Sequence, residues 1–461
     1  MDIPELQRRR ASGEFTAAEL AHAHLDRVRR LDGEVNAVLV SAADAVTQAE
    51  ASDQRARDGG LLSPIDGVTV LLKDNIDTAD LPTTVGSRAL AGYLPDRDAE
   101  IVRRLRAAGA IVVGKANLSE WSNFRSTRSV SGWSGVGGQT NNPHVLDHSP
   151  GGSSSGSAAG VAAGFAQVAI GTETDGSILS PAGSCGVVGM KPSVGLVSGR
   201  GIAPISDRQD TAGPIARSVV DAAVVLSVLS GLPYGPAPIS LRGKRIGYWR
   251  PSTVDGFVDN VMAEAIKELT RAGAIVVDTE PIAVEEMERL AWQALTAEFR
   301  PLIDDYLVAR PVRSLRELVA FNQTDPVELG PFGQDLFELA LEAPPLSDAR
   351  YEFQRESATR LAREAIGRAI EADRLDVIMA PANAPAPHRT EPEINIGTST
   401  PAAIAGYPSI TVPAGFVGPL PVGVSFFTGA AGDAAVLAVA AAFEQVAPPR
   451  QDPEFYPTVP K

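Results

Sequence analysis

Along this chain, short continuous apolar runs alternate with segments in which apolar residues recur every three or four positions. Thr16-Ala-Ala-Glu19 has the pattern of a capping box, and the run behind it carries Leu20, Leu25, Val28 and Leu31. That combination predicts an amphipathic N-terminal helix. Residues 67–72 predict a buried strand, 100–109 a helix ended by Gly109, and 110–114 a second strand, which together make a βαβ unit. Comparable runs recur at 168–171, 245–248, 274–277, 376–380, 409–412 and 422–426. They are short and do not alternate with polar residues, so they predict strands covered on both faces. The expected fold class is therefore α/β, with a mixed central sheet and helices on both faces. From about 281 to 370 the sequence turns helical, charged and longer-sided, which predicts a helical excursion over that core. No repeat of solenoid period is visible. The Pro-rich stretch 231–238 is the best candidate connector, and the tail from Pro448 is expected to be a loose terminal segment.

Composition narrows the function classes. The 461 residues are 44% hydrophobic with a formal charge of -15, which argues against nucleic acid or an anionic membrane surface as a standing partner. No run approaches eighteen apolar residues, and the first ten residues lack the apolar stretch of a signal peptide, so a cytoplasmic protein is expected. Cys185 is the only cysteine; it forms no internal disulfide and is expected to be a small buried hydrophobe. The five histidines show no ligand spacing, so no metal is expected.

Candidate chemistry concentrates in two glycine-rich loops, Gly151-Gly-Ser-Ser-Ser-Gly-Ser157 and Gly171-Thr-Glu-Thr-Asp-Gly-Ser177. Small residues let backbone amides converge on a developing oxyanion, here the amides of Thr174, Asp175, Gly176 and Ser177. A flexible linker would be flanked by polar sequence, whereas Ser157-Ala-Ala-Gly-Val-Ala-Ala-Gly-Phe165 follows at once as a small-residue helix. Only six lysines are present, and Lys73 follows the apolar strand 68–72. Desolvation lowers a lysine's pKa and makes it a neutral base of the kind a serine nucleophile needs. The plainer roles are an ion pair with Asp74 for Lys73 and a helix N-cap for Ser177.

These residues resemble the amidase signature family of serine hydrolases. The likeness rests on Lys73-Asp-Asn75, Gly151-Gly-Ser-Ser154 and Gly176-Ser-Ile-x-x-Pro-Ala182. It extends through Lys115-Ala-Asn-Leu-Ser-Glu-Trp121, Gly189-Met-Lys-Pro192 and Gln209-Asp-Thr-Ala-Gly-Pro214 to Ala405-Gly-Tyr-Pro-Ser-Ile-Thr-Val-Pro413. Residues 117–125 and 172–177 are most similar to its peptide amidase branch, whose members hydrolyse the C-terminal amide of peptides to acid and ammonia. The resemblance implies one domain over 1–461 and a triad of Ser177 as nucleophile, Ser153 as bridging serine after a cis peptide, and Lys73 as terminal base. It implies an acyl-enzyme, no cofactor, and a short peptide amide or other small carboxamide as substrate. Asn123, Trp133, Gln139 and Ser154 are candidate substrate contacts, and Trp121, Phe124 and Tyr407 candidate cleft walls. Asp210 and Arg217 are expected to pair and brace the loops. Many members have arginine where this chain has Leu179, which makes acidic small substrates less suitable.

Three other readings compete. Gly152-Ser-Ser-Ser-Gly156 fits a Gly-x-Ser-x-Gly elbow with Ser154 as nucleophile, but only His388 lies downstream, with no obvious acid partner. His144 and His148 are expected to be solvated loop residues. A phosphate cradle would call for a lysine in the P-loop spacing, which neither glycine loop has. A glutamine amidotransferase subunit, or an aryl or small-molecule amide hydrolase, would share the Ser-Ser-Lys core.

Overall fold

The computed structural model describes residues 1–235, 239–251, 254, 256–391 and 396–460. The connector expected at 231–238 thus lies partly outside the described residues, at 236–238.

In chain order the helices are α1 Ile3–Ala11, α2 Ala17–Val35, α3 Ala45–Arg57, α4 Glu100–Ala107, α5 Ser155–Ala162, α6 Leu179–Ser184 and α7 Val219–Ser230. They continue with α8 Gly256–Arg271, α9 Glu285–Leu307, α10 Leu315–Thr324, α11 Asp335–Glu342, α12 Ala349–Asp373, α13 Thr400–Ala405 and α14 Asp433–Glu444. The strands are β1 Val38–Ser41, β2 Thr69–Lys73, β3 Ile111–Ala116, β4 Trp133–Ser134, β5 Gly138–Gln139, β6 Val168–Glu173 and β7 Val188–Lys191. After them come β8 Thr211–Ala216, β9 Arg245–Tyr248, β10 Ile275–Asp278, β11 Val377–Pro381, β12 Ser409–Val417 and β13 Leu420–Phe427. Thr16 and Glu19 form the expected capping box at the start of α2.

Eleven strands make one mixed sheet in the order β1-β3-β2-β6-β8-β7-β12-β13-β11-β9-β10, flanked by helices. Every residue of β2, β3, β6, β7, β8 and β11 is buried, as expected for the apolar runs of β2, β3, β6 and β11. Strand β10, also expected to be covered on both faces, is instead an edge strand with Ile275 and Asp278 exposed. Its topology sets up the site. Parallel pairing of β2 with β6 places Leu72 beside Ile170, so Lys73 and Glu173 leave the sheet at the same end. Antiparallel pairing of β6 with β8 sets Glu173 opposite Thr211, which delivers Asp210 to that end as well.

Strands β1, β7 and β8 and the short β4–β5 pair carry no clear pattern in the sequence. Strand β8 contains Gly213 and Pro214, both poor strand formers, yet it is central. A Cβ on Gly213 would run into the Met190 carbonyl, so close strand approach selects the residue that local preference disfavours. The tail also departs from expectation. Leu146 donates to the Tyr456 carbonyl at 2.8 Å and Phe455 to the Pro143 carbonyl at 3.1 Å, which ties the chain end down.

Helix α5 packs against β2, β6 and β8 through small residues. Gly156 donates to the Asn117 carbonyl at 2.9 Å, and a Cβ there would sit 2.5 Å from that oxygen and 2.6 Å from the Asn117 nitrogen. Rigid backbone leaves no room to yield. Gly156→Ala is therefore expected to destabilise by about 1–3 kcal/mol, read as a lower denaturation midpoint with an unchanged m-value.

Candidate active site

Lys73 ends strand β2 with no exposed surface, and its neighbours come from two segments, the Ser153 loop and the end of β6. Its Nζ lies 2.8 Å from Ser153 Oγ, 2.9 Å from Thr172 Oγ1 and 3.2 Å from the Thr172 carbonyl. Thr172 Oγ1 also accepts from Asn75 Nδ2 at 2.9 Å. Burial pulls the Lys73 pKa down to about 7, although Asp210 and Glu173 favour its charged form. The ion pair with Asp74 does not form, because Asp74 faces Lys115 at 3.1 Å.

Ser153 is set by its loop. The Gly152–Ser153 peptide is cis, Gly151 has φ +71, and a Cβ on Gly152 would lie 2.8 Å from Ser131 Oγ. The Ser154 amide donates to the Ser177 carbonyl at 3.1 Å and joins the two serine loops. Ser177 itself lines a cavity of about 540 Å³ together with Gly152.

The loop 174–177 is held through its side chains. Glu173 accepts from the amides of Ile178 at 2.7 Å and Leu179 at 3.0 Å. Asp175 accepts from Ser399 Oγ at 2.5 Å and Thr400 Oγ1 at 2.8 Å, and Thr174 Oγ1 donates to Asp210 at 2.6 Å. Asp210 accepts in addition from the amides of Ile205 and Ser206, and burial raises its pKa to about 6. Among the described residues, the N–H groups of residues 174–177 are bonded to no backbone carbonyl.

A second brace comes from the helices. Gln209 Nε2 donates to the Thr174 carbonyl at 3.3 Å, and its Oε1 accepts from Arg355 of α12 at 2.5 Å. Arg355 forks onto Glu298 of α9 at 2.7 and 2.9 Å, and both side chains are buried. The same carboxylate accepts from Tyr351 and Ser206. Arg217 is not part of this brace, contrary to expectation. It donates to the carbonyls of Val161 and Ala166 and to Gln167, while Asp210 takes hydroxyl and amide donors instead.

The cavity walls differ from those expected. Asn123 and Phe124 line it, and Trp292 and Leu295 of α9 join them. Trp133, Gln139 and Ser154 lie outside the lining. Trp133 packs edge-on against Phe332 at 5.3 Å, Gln139 spends its amide on the Ser131 and Thr140 carbonyls, and Ser154 Oγ is bonded to the Thr172 carbonyl at 3.0 Å. Trp121 and Tyr407 belong to separate apolar clusters. His144 is buried rather than solvated: its Nε2 meets the Cys185 carbonyl at 3.1 Å, and burial lowers its pKa to about 4.

Trp121, Ser122 and Asn123 are three consecutive non-glycine residues with φ of 48, 53 and 70, a conformation that only strong surroundings hold. Those surroundings are the buried Arg125, 2.9 Å from Glu120 and 2.8 Å from Glu328, and the ring contact of Phe124 with Phe299 at 4.7 Å. The turn leaves Asn123 Oδ1 buried without a protein partner among the described residues, while Nδ2 donates to Ser131. Nothing in the sequence marks Trp292 or Leu295, since an apolar helix face toward a cleft looks the same as one toward a core.

Residues 19–437 match the family model described as Amidase. The chain belongs to the amidase family. It is an enzyme acting on carbon–nitrogen amide bonds, with the amidase signature fold. The solved structure of peptide amidase from Stenotrophomonas maltophilia is similar with a TM-score of 0.95 and 43% identity, over 99% of this chain and 98% of that one. A probable amidase of Arabidopsis thaliana is 37% identical over 96% of this chain and 89% of its own length. A glutamyl-tRNA(Gln) amidotransferase subunit of Symbiobacterium thermophilum is 34% identical over 97% of this chain and 96% of its own length. Among the described residues of this amidase, no helix is long and apolar enough to cross a membrane.

The Glu298–Arg355 pair predicts a stability defect. Arg355→Met leaves a buried carboxylate without its counter-ion, so it is expected to cost about 3–5 kcal/mol in chemical denaturation, and Glu298→Gln in the same chain to restore part of that loss.

Proposed function

We propose that this amidase hydrolyses the C-terminal carboxamide of short peptides to the free acid and ammonia, with Ser177 as nucleophile, Ser153 as proton bridge and Lys73 as base. The observation that carries this reading is the 2.8 Å contact of Ser153 Oγ with a lysine whose burial brings its pKa to about 7. A lysine with that pKa exchanges protons at neutral pH; an exposed one would stay charged.

In this mechanism Ser177 Oγ attacks the amide carbon as its proton passes to Ser153 and the Ser153 proton to Lys73. The amides of residues 174–177 bind the developing oxyanion, each worth about 10²- to 10³-fold in rate in comparable sites. The carbon–nitrogen bond then breaks, the relay returns the proton to nitrogen, and ammonia leaves an acyl-Ser177. Water attacks the ester by the same route, releasing acid and free Ser177. Neither a metal nor an organic cofactor is needed for these steps. Asn123, with its free acceptor oxygen, takes an N–H of the substrate. Residues 1–461 act as a single domain in which α9 walls the cleft through Trp292 and Leu295.

The cavity favours a neutral amide. Among the described residues, Asp175 is its one acidic lining residue and no lysine, arginine or histidine lines it, so a substrate carboxylate would lose hydration with no counter-charge. That disfavours glutamine, which carries an α-carboxylate, and with it the amidotransferase reading. It also separates a carboxamide end from a free carboxyl end.

With an N-blocked dipeptide amide, wild type is expected to give the free acid by mass spectrometry with an equal amount of ammonia, and Ser177→Ala to give neither. Turnover by Ser177→Ala, or turnover of free glutamine in preference to the dipeptide amide, would overturn the assignment. Lys73 must be neutral to act, so kcat/KM should rise with pH through an apparent pKa near 7 and fall about tenfold per unit below it. A profile flat from pH 5 to about 8 sinks Lys73 as the base.

A further inference from the structure

A second cavity, of about 370 Å³, shares Ser122, Thr174 and Ile205 with the substrate cavity and is lined on its inner side by Asn75, Thr172 and Glu173. Thr172 is the residue whose hydroxyl and carbonyl face Lys73 Nζ, so this space begins one side chain from the proposed base. Two of its lining groups are almost completely buried, Asn75 at 1% and Glu173 at 2% exposure. Each has an oxygen, Asn75 Oδ1 and Glu173 Oε1, with no hydrogen-bond partner among the described residues.

Their other polar atoms are committed. Asn75 Nδ2 donates to Thr172 Oγ1, and Glu173 Oε2 accepts from the amides of Ile178 and Leu179. What remains for a ligand is acceptor capacity, with a second carboxylate, Asp210, also lining the cavity. A buried acceptor left unpaired is costly, so this combination selects a small species rich in N–H donors or a bare monovalent cation of that size.

We propose that the second cavity is a binding site for ammonium, the nitrogen product of amide hydrolysis. This rests on the amide-hydrolase reading for the source of the ion, though not for the site. Hydrolysis of RCONH2 with H2O gives RCOO⁻ and NH4⁺ at neutral pH, so one ammonium is made per turnover beside the partition of Ser122, Thr174 and Ile205. Ammonium has four N–H donors to offer Asn75 Oδ1, Glu173 Oε1 and the carboxylate of Asp210.

Charge couples the site to Lys73. The ionisable groups on the cavity are Glu173 and Asp210 inside and Arg200 and Asp207 among its outer lining residues, with Lys73 across Thr172 and Lys191 acting on Glu173. Both inner carboxylates favour protonated Lys73. A cation bound between them offsets that influence and opposes a second positive charge nearby, so occupied enzyme holds Lys73 neutral to lower pH.

The test uses the full-length enzyme. Crystals soaked in rubidium chloride, an ammonium-sized probe with anomalous scattering, are expected to show a peak in contact with Asn75 Oδ1 and Glu173 Oε1. In solution, ammonium chloride is expected to move the acid limb of kcat/KM to lower pH relative to sodium chloride at equal ionic strength, and tetramethylammonium, which has no N–H donor, to leave it in place. Glu173→Gln turns the free acceptor into a donor and should weaken the ammonium effect about tenfold or more. Should that variant fail to fold, the rubidium soak of wild type decides. No anomalous peak at saturating rubidium overturns the proposal, as does an ammonium effect that is purely competitive with substrate or unchanged in Glu173→Gln. Since the soak needs no turnover, an enzyme inactive on peptide amides can still bind rubidium. An active one without the peak loses only this site.

Discussion

Everything in the proposed reactive centre depends on keeping one lysine out of water. Lys73 sits at the end of a strand buried on both faces, and the protein surrounds it with oxygen atoms placed at hydrogen-bond distance: Ser153 Oγ, Thr172 Oγ1 and the Thr172 carbonyl. Among the described residues, no carboxylate touches it. Had Asp74 paired with it, Coulomb attraction would have held the ammonium charged. Lys115 prevents this by taking Asp74, and is itself buried and bonded to Thr83 Oγ1 at 2.7 Å. Two lysines on neighbouring strands thus divide the labour, one ion-paired and one left to desolvation.

The second constraint is rigidity around loops that contain almost no side-chain bulk. Glycine and serine let the backbone approach closely, but they supply little packing of their own. Carboxylates fill that gap: Glu173, Asp175 and Asp210 each accept from amides or hydroxyls of the loop or its neighbours. Burial pushes Glu173 and Asp210 toward their neutral forms, and two to three donors apiece pull them back. Helices α9 and α12 extend the brace through Glu298, Arg355 and Gln209, so the segment inserted between β10 and β11 both walls the cavity and fixes the loop.

Much of this was legible from sequence because burial on both faces leaves a simple signature. The runs that became β2, β3, β6, β9 and β11 are apolar without alternation, and the capping box of α2 is local chemistry. Strands β7 and β8 were not legible: Gly213 is chosen by an interstrand approach that no window of sequence contains. The same limit applies to the site. Lys73 and the two serine loops stand out as candidates by residue type and spacing, and Asn123 by the family resemblance of residues 117–125. Trp133, Gln139 and Ser154 have the right types beside the right loops, yet ring packing and carbonyl acceptors claim them. Arg217 was matched to Asp210 by charge alone, and three uncharged acceptors around α5 and β6 took it instead.

Leu179 connects the loop to the character of the cleft. Its amide is one of the two that anchor Glu173, and its side chain is buried. An arginine there would place a cation a few residues from Ser177, near the carboxylates that fix the loop. With leucine, those carboxylates keep their amide and hydroxyl donors, and the described lining of the cavity keeps no positive charge. The surface facing the proposed nucleophile is then built from hydroxyls, among them Ser126, Thr127, Ser129 and Ser131, with Phe124, Trp292 and Leu295 as apolar walls. Hydroxyls and free backbone amides can hydrogen-bond an uncharged peptide backbone without a desolvation debt for either partner. A free carboxylate would enter the same space beside Asp175 with nothing to offset its charge.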